Sequence, residues 1–293
     1  MKDSEESEPE IPEYDILCRN PYGQGKRRQM NDLFHRERIA GNTDTGMLKC
    51  IALVFMLVDH IGVLFFSHSA EFRIVGRIAM PLYAWCMVVG CCRTRNIVRY
   101  AFRMLLTAIL CQPLYMLVMG HKWNYLSILF LLFLGITSIA GIRLNRCGSR
   151  WWIPAACFLV TVLIDVDYGW KGLLFMILLY LARGSRGAIA AVMIGYCLFW
   201  GQSTLQIAPF FGLNLISFLP EKLGARFRSM ILPFFRLQAL AMLSLPFLLM
   251  RGKSGRKMPK TLSYLLYPLH LLLLLILRLL TGTSFTEMLS VFR

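Results

Sequence analysis

Acidic residues are scarce in this sequence once its first 49 positions have passed. That first stretch holds ten of the sixteen Asp and Glu residues, and the remaining chain sets six acids against 24 Lys and Arg. Of those six acids, Asp59 alone lies well inside an apolar run. A carboxylate at such a position needs a specific role or partner, which makes Asp59 conspicuous.

Several motifs that define enzyme classes are also absent. The sequence contains no CxxC pair, Walker loop, GxSxG elbow or zinc signature, so it offers no motif for a metalloenzyme, a P-loop NTPase or a serine hydrolase. The nine cysteines lie mostly in apolar runs without histidine partners, and we expect free thiols and no metal site. The polar, acidic start of the chain also predicts no cleavable signal peptide.

The sequence has no polar stretch long enough for a soluble domain beyond residue 48. Hydrophobic residues make up 57% of the chain, and the mean hydropathy is +0.56. We therefore predict an all-α fold, a polytopic membrane helical bundle of about nine to ten transmembrane helices. Residues 1–46 are predicted to be a disordered cytoplasmic tail, and residues 47–293 a single transmembrane domain.

The charge of +16 fits this class, because the basic residues lie in short loops between apolar runs. It therefore indicates a cytoplasmic N-terminus and no nucleic-acid partner. The segment 204–219 is ambiguous, since three helix breakers interrupt it; we favour a re-entrant or interfacial segment, giving nine spans, over a tenth crossing. The predicted spans are 48–66, 74–92 (kinked at Pro81), 97–120, 125–142, 152–163, 172–182, 187–201, 231–250 and 262–280.

Asp59 and His60 stand side by side in the first span. Placing an ionisable group at that depth costs about 3 kcal/mol or more unless it is paired or wetted. Adjacent helical residues point about 100° apart, so we expect the two side chains to have different roles.

His270 follows Tyr267 in the last span, at a depth close to that of His60. Both helices enter from the cytoplasm in the predicted topology, so the two imidazoles can line one cavity near the membrane centre. For either histidine alone, an interhelical hydrogen bond is an equal alternative; the pair together favours function.

Arginines form two further groups. Arg95, Arg99 and Arg103 present one cationic stripe, which either marks a cytoplasmic loop or binds a phosphate-bearing cofactor. Arg73 and Arg77 open the second span, where topology does not require them, and one of them can neutralise Asp59.

A turn at residues 165–169 carries Asp165, Asp167 and Tyr168. We interpret it as a solvated loop and do not assign its two acids as a catalytic pair.

Six blocks of residues, in this order, resemble the TraX family of bacterial membrane proteins, and the resemblance covers essentially everything after residue 46. Val88–Val89–Gly90 stands where the family usually carries an acid, and Arg93 stands in place of a histidine. The blocks are LKCIALVFMLVDHIG, RIVGRIAMPLYAW, RTRN at 93–96 with Tyr100 and Arg103, CQP at 111–113, DYG at 167–169 and YLLYPLH at 264–270.

This family is named for acetylation of the N-terminus of conjugative pilin, so the resemblance implies acyl transfer from an acyl-coenzyme A, such as acetyl-CoA. We assign His60 as the general base. Asp59 then holds an arginine or steadies the imidazole, while His270 and Tyr267 bind the thioester carbonyl or share the proton transfer.

The predicted donor enters from the cytoplasm, and no metal is required. Its binding residues are predicted to be Arg95, Arg99, Arg103, Arg77 and Arg73. The acceptor stays open among a pilin or peptide N-terminus, a sugar, a lipid head group and a small molecule, as does the oligomeric state. The alternative function is a proton-coupled transporter of a small solute, which also uses intramembrane His and Asp.

Overall fold

The computed structural model describes residues 38–66, 70–122, 124–145, 147–204, 209–210, 213–214, 232–250 and 259–282. These residues form an all-helical fold apart from one two-residue antiparallel ladder, β1 Pro209–Phe210 with β2 Leu213–Asn214. Two 3₁₀ segments cover Leu232–Phe235 and Ala239–Ser244. The α-helices are α1 Thr45–Phe65, α2 Ala70–Gly76, α3 Ala79–Arg93, α4 Ile97–Met119, α5 Ile128–Leu144, α6 Ser149–Leu163, α7 Gly169–Ala182, α8 Arg186–Gly201, α9 Leu245–Leu249 and α10 Lys260–Leu280.

Membrane-length apolar helices are present, as the composition predicts. Three stretches are long and apolar enough to cross a bilayer, namely Thr45–Phe65, Glu71–Arg93 and Ile97–Met119. Several other apolar helices of the described chain are shorter. The cysteines in the described residues are free thiols, as predicted.

Pro81 accounts for the break between α2 and α3. A proline lacks the N–H that would bond the carbonyl four residues earlier, and its ring crowds that carbonyl. The carbonyl in question belongs to Arg77, and the helix is interrupted at positions 77–78, where Ile78 N–H bonds the Val75 carbonyl at 3.3 Å. The predicted kink in the second span is therefore confirmed.

The segment predicted as a span over 231–250 is not one continuous helix in its described part. Its described part runs through both 3₁₀ segments and the short α9. Pro246 cannot donate to the turn before it, and Gln238 is a buried polar residue whose amide oxygen accepts from Arg77 at 3.4 Å. Of the ambiguous segment 204–219, the described residues after Thr204 form the β1–β2 ladder, and the rest lies outside the described residues.

The last residues of the predicted tail are packed against the bundle. Asn42 N–H bonds the Leu248 carbonyl at 2.6 Å, and the Trp85 indole donates to the Asn42 carbonyl at 2.7 Å. Asp44 then caps α1 by accepting from Met47 N–H at 3.1 Å. Part of the predicted tail, from residue 40 to residue 46, thus packs on the bundle, because its polar groups pair with buried backbone. Residues 1–37 of the predicted tail lie outside the described residues.

Hydrogen bonds link the ends of neighbouring helices at each of the two opposite ends of the bundle. At the basic end, the segment before α1 meets the end of α3 through Arg93 and the end of α7 through Arg183, while Arg186 at the start of α8 bonds the Leu249 carbonyl at 2.6 Å. At the cavity end, the loop 120–127 pairs with the loop 164–168, since Leu126 N–H bonds the Asp165 carbonyl at 2.8 Å.

Candidate functional site

Two cavities lie inside the bundle and share four wall residues. The larger cavity, of about 70 Å³, is mainly apolar. Lys49, Tyr100 and Tyr264 line it near the basic end. The smaller, of about 30 Å³, is polar and has room for at least one water molecule. The shared residues, which we call the neck, are Met56, Tyr83, Ile128 and Tyr267. The other residues of the polar cavity are Asp59, His60, Gly76, Ala79, Met80, Tyr115, Asp167 and Tyr168.

The structure brings the two predicted histidines together. The ring centroids of His60 on α1 and His270 on α10 are 5.5 Å apart, with a 34° angle between the rings. His60 lines the polar cavity, whereas His270 is buried behind it and does not line either cavity. His270 Nδ1 lies 3.4 Å from the Leu266 carbonyl oxygen, which favours a proton on Nδ1 and leaves Nε2 as an acceptor. The Nε2 atom has no hydrogen-bond partner within the described residues.

Asp59 lies against the short helix α2. Its Oδ1 is 3.4 Å from Arg73 Nε, and the two side chains are 19% and 40% exposed. This close approach requires Gly76, because a Cβ at that position would collide with the Asp59 carboxyl group. Asp59 and His60 both line the polar cavity although they point in different directions along α1, since the cavity wraps around that side of the helix.

Asp167 and Tyr168 also line the polar cavity, so the interpretation of their turn as a solvated loop is wrong for both. Asp165 is exposed, as that interpretation expects. Two features turn the loop inward. Asp167 N–H bonds the Leu126 carbonyl at 2.9 Å, and Tyr168 adopts a left-handed backbone with φ +64°, which a bulky residue rarely occupies.

Burial raises the pKa of Asp167 to about 6, despite the opposing charge of Arg77. The Arg77 guanidinium also lies 5.9 Å from the centre of the Tyr168 ring. The charge of Arg77 therefore acts on Asp167, whereas Arg73 forms an ion pair with Asp59. Each carboxylate of the polar cavity has a nearby guanidinium.

An aromatic stack covers the cavity end. His121 lies between Tyr115 and Tyr125, with centroid distances of 5.6 and 4.4 Å. The Tyr125 hydroxyl is 3.4 Å from Asp167 Oδ1. Gln112 from the middle of α4 holds this loop by donating to the Tyr125 carbonyl at 2.7 Å and accepting from Ser127 N–H at 3.1 Å.

Two phenols face the neck. Tyr267 is buried and Tyr83 is partly buried, and both line the two cavities. The Tyr267 hydroxyl lies near Ser127 but makes no well-aligned hydrogen bond with any described residue. A buried hydroxyl without a partner is costly, so a group that accepts its proton would be stabilised in the neck.

The five arginines predicted to bind the donor are divided between the two ends. Arg95, Arg99 and Arg103 are exposed near the basic end, and Arg103 is within hydrogen-bonding reach of Tyr264 at the larger cavity. Arg73 and Arg77 lie at the cavity end, roughly one helix length away at 1.5 Å per residue. One phosphate group cannot contact both sets, and only the first set lies near the larger cavity. Donor binding by Arg73 and Arg77 stays a prediction.

The arrangement combines a partly occluded imidazole, two carboxylates and two phenols beside an apolar cavity. An imidazole can accept a proton, phenols can stabilise an oxyanion, and carboxylates can hold an ammonium group. The sequence patterns did not predict Asp167, Tyr115 and Tyr168 as site residues. The DYG at 167–169 was the available signal, because a glycine after a turn often marks an unusual backbone.

Comparisons with known proteins agree with the sequence blocks. The family model described as "TraX protein" matches residues 44–278, most of the chain, which confirms the resemblance. A segment of 72 residues is 36% identical to the "Probable fimbrial assembly protein FimC, serogroup H1" of Dichelobacter nodosus. This similarity covers 23% of the chain and 30% of that protein, so the chain spans less than a third of its length. No solved structure matches.

Proposed function

Because this chain belongs to the TraX family, we propose that it is a membrane acyltransferase that moves an acyl group from acyl-coenzyme A to an amine. The observation that carries the proposal is the pair of cavities with a common neck. An apolar passage that begins near exposed arginines suits a pantetheine arm whose phosphates stay outside. The polar cavity beyond the neck suits the acceptor, because its imidazole and carboxylate oxygens can accept hydrogen bonds and a proton from an amine.

Acetyl-CoA is the donor we propose, because the family resemblance implies acetyl transfer. The polar cavity, of about 30 Å³, leaves little room for a long acyl chain beside the acceptor. The acceptor is proposed to be the amine of a peptide or pilin N-terminus, in keeping with the family. Sugar, lipid and small-molecule acceptors are the other outcomes that a product analysis would reveal.

His60 would take a proton from the acceptor ammonium, and the free amine would then attack the thioester carbon. Tyr267 and Tyr83 would donate hydrogen bonds to the oxyanion that develops on the carbonyl. The C–S bond breaks, and the second amine proton reaches the sulfur. The balance is R–NH₃⁺ plus acyl–S–CoA giving acyl–NH–R, HS–CoA and one H⁺.

We further propose nine membrane crossings, with the basic end in the cytoplasm of a bacterial inner membrane. The charges support this orientation, since Arg93, Arg143, Arg183 and Arg186 share one end. The eighth crossing is the stretch 232–250. Its 3₁₀ segments let few residues cover more distance, because a 3₁₀ helix rises about 2.0 Å per residue and an α-helix about 1.5 Å. That stretch thus leads from Gln238, beside Arg77, to Leu248, beside Asn42.

Labelling can test this orientation. Cys147 is exposed in the loop between α5 and α6. In a variant that keeps only this cysteine, a membrane-impermeant maleimide should react in inverted vesicles and not in intact cells. Labelling of intact cells would reverse the orientation.

The activity test uses the purified full chain in proteoliposomes with acetyl-CoA and a peptide bearing a free α-amine. Because free cysteines would react with thiol reagents, the acetylated peptide is measured by mass spectrometry. We expect product with the natural protein and with Val54→Ala, a control on the exposed face of α1, and none with His60→Ala. Peptide or solute flux without acetylated product would support the proton-coupled transporter.

A further inference from the structure

We propose that Asp167 receives the proton that His60 must release in each catalytic cycle and passes it to the cavity end of the bundle. This inference rests on the proposed transfer to an ammonium acceptor. Transfer to a hydroxyl, R–OH plus acyl–S–CoA giving acyl–O–R plus HS–CoA, releases no proton. Transfer to an ammonium releases one proton for each product, so His60 has to be discharged before it can act again.

The other groups near His60 are poorly suited to take that proton. His270 is buried behind His60, and its Nδ1 is directed at the Leu266 carbonyl, so it offers no way out. Asp59 is already paired with Arg73 at 3.4 Å. Asp167 lines the same small cavity as His60 and is partly exposed, and that cavity has room for water.

The surroundings of Asp167 suit a group that gains and loses a proton near neutral pH. Its pKa of about 6 is well above the roughly 3.9 of a free aspartate, which would be too weak a base for this purpose. Burial is the main cause, Asp59 on α1 adds to it, and Arg77 opposes it. The remaining titratable groups that act on or with this carboxylate are phenols, namely Tyr115, Tyr125, Tyr168 and Tyr267.

A route leads from Asp167 towards the cavity end. The Tyr125 hydroxyl lies 3.4 Å from Asp167 Oδ1, and the Tyr125 ring stacks on His121 at 4.4 Å. His121 is partly exposed, so this stack borders the outside of the bundle at the cavity end. The proton would then leave on the side opposite to the basic end.

The test compares Asp167→Asn and Asp167→Glu with Asp165→Asn, a change of the exposed acid two residues away. Peptide acetylation is measured from pH 6 to pH 9.5. A peptide α-amine has a pKa of about 8, so above that pH the acceptor already arrives neutral and no proton needs to be released. For Asp167→Asn we expect kcat to fall about 10- to 100-fold at pH 6.5, with KM values within twofold, and the deficit to shrink above pH 9.

Asp167→Glu should recover most of the rate, and Asp165→Asn should match the natural protein. A deficit of equal size at every pH, or no deficit, would overturn the role of Asp167. If Asp167→Asn does not fold, the pH profile of Asp167→Glu decides, because a longer carboxylate should shift the profile and a structural role should not. Absence of acetylated peptide with the natural protein would instead overturn the proposed function itself.

Discussion

Arg73 and Arg77 at the cavity end have different partners from the arginines of the basic end. At the basic end, Arg93, Arg143 and Arg186 donate to the backbone carbonyls of Thr43, Cys91 and Leu249. At the cavity end, the guanidinium of Arg73 pairs with Asp59 and the charge of Arg77 acts on Asp167. Arg236 and Arg278, at the same end, donate to backbone carbonyls like the arginines of the basic end.

A guanidinium that donates to a backbone carbonyl supplies a hydrogen bond that the carbonyl would otherwise lack. A guanidinium beside a cavity carboxylate sets the charge of that cavity. The positive-inside rule accounts for the first group and leaves the second unexplained. The partner of an arginine therefore separates a topology signal from a site residue better than its position in the sequence does.

The strongest test of this contrast removes the base at the cavity end. His60→Ala should lower kcat by about 10²- to 10⁴-fold, the usual contribution of a general base, while the thermal midpoint in detergent changes little. His270→Ala should lower it less, because His270 lies behind His60 and not on the cavity wall. A folded His60→Ala protein that turns over at the natural rate would show that His60 is not the base, and the two-histidine site would have to be abandoned.

A smaller loss is expected for Asp59→Asn. Removing one partner of a buried ion pair would cost several kcal/mol, but Arg73 is 40% exposed and water can solvate its charge. The protein should therefore accumulate in normal amounts, with kcat lowered about tenfold because the charge next to His60 changes. A poor yield at unchanged specific activity would mean that the Asp59–Arg73 pair is structural. Arg73→Gln offers the matched change on the other partner.

At the basic end, Arg99→Gln with Arg103→Gln should raise KM for acetyl-CoA about three- to tenfold and leave kcat within twofold. Both residues are exposed and flank Tyr100, a wall residue of the larger cavity, so they are placed to meet phosphates outside it. Arg150→Gln is the control, since Arg150 is equally exposed and stacks on Trp151 away from both cavities. An unchanged KM would mean that Arg99 and Arg103 only mark a cytoplasmic loop and do not bind the donor.

The apolar runs predicted most of the helices to within a few residues. The first span was predicted over 48–66 and the helix covers Thr45–Phe65, because the capping Asp44 extends its start. The exception is 231–250, where the high hydropathy predicted one span although Pro246 and the buried Gln238 interrupt the helix. Hydropathy measures transfer into the membrane, and it does not report whether backbone hydrogen bonds can continue through a proline.

The site was predictable only where it lies on helices. Depth along α1 and α10 was enough to bring His60 and His270 together, since helix rise converts sequence position into height. Asp167 could not be found in this way. Its place in the cavity depends on the pairing of two loops at Leu126 and on the left-handed backbone of Tyr168, and no sequence period encodes either feature.

The smallest expected effect is a pH-dependent stability difference at the cavity end. Asp167 has a pKa of about 6 when folded and roughly 3.9 when unfolded, so between these values the folded protein binds more protons than the unfolded chain. Its contribution to stability is therefore present below pH 4 and is lost as pH rises through 6. The full shift corresponds to about 3 kcal/mol, and partial exposure of the side chain reduces this to on the order of 1 to 2 kcal/mol.

Asp167→Asn cannot ionise and should lack this loss. The measurement is the thermal midpoint in detergent from pH 4 to pH 8, taken as the difference between the natural protein and the variant so that other titrating groups cancel. The difference should favour the natural protein at pH 4, move towards the variant by pH 7, and then stay level. Asp165→Asn should give a flat difference, because its carboxylate is exposed. A flat difference for Asp167→Asn as well would show that the Asp167 carboxylate is solvated like that of its neighbour, and the contrast between the charged groups of the two ends would then have to rest on Asp59 and Arg73 alone.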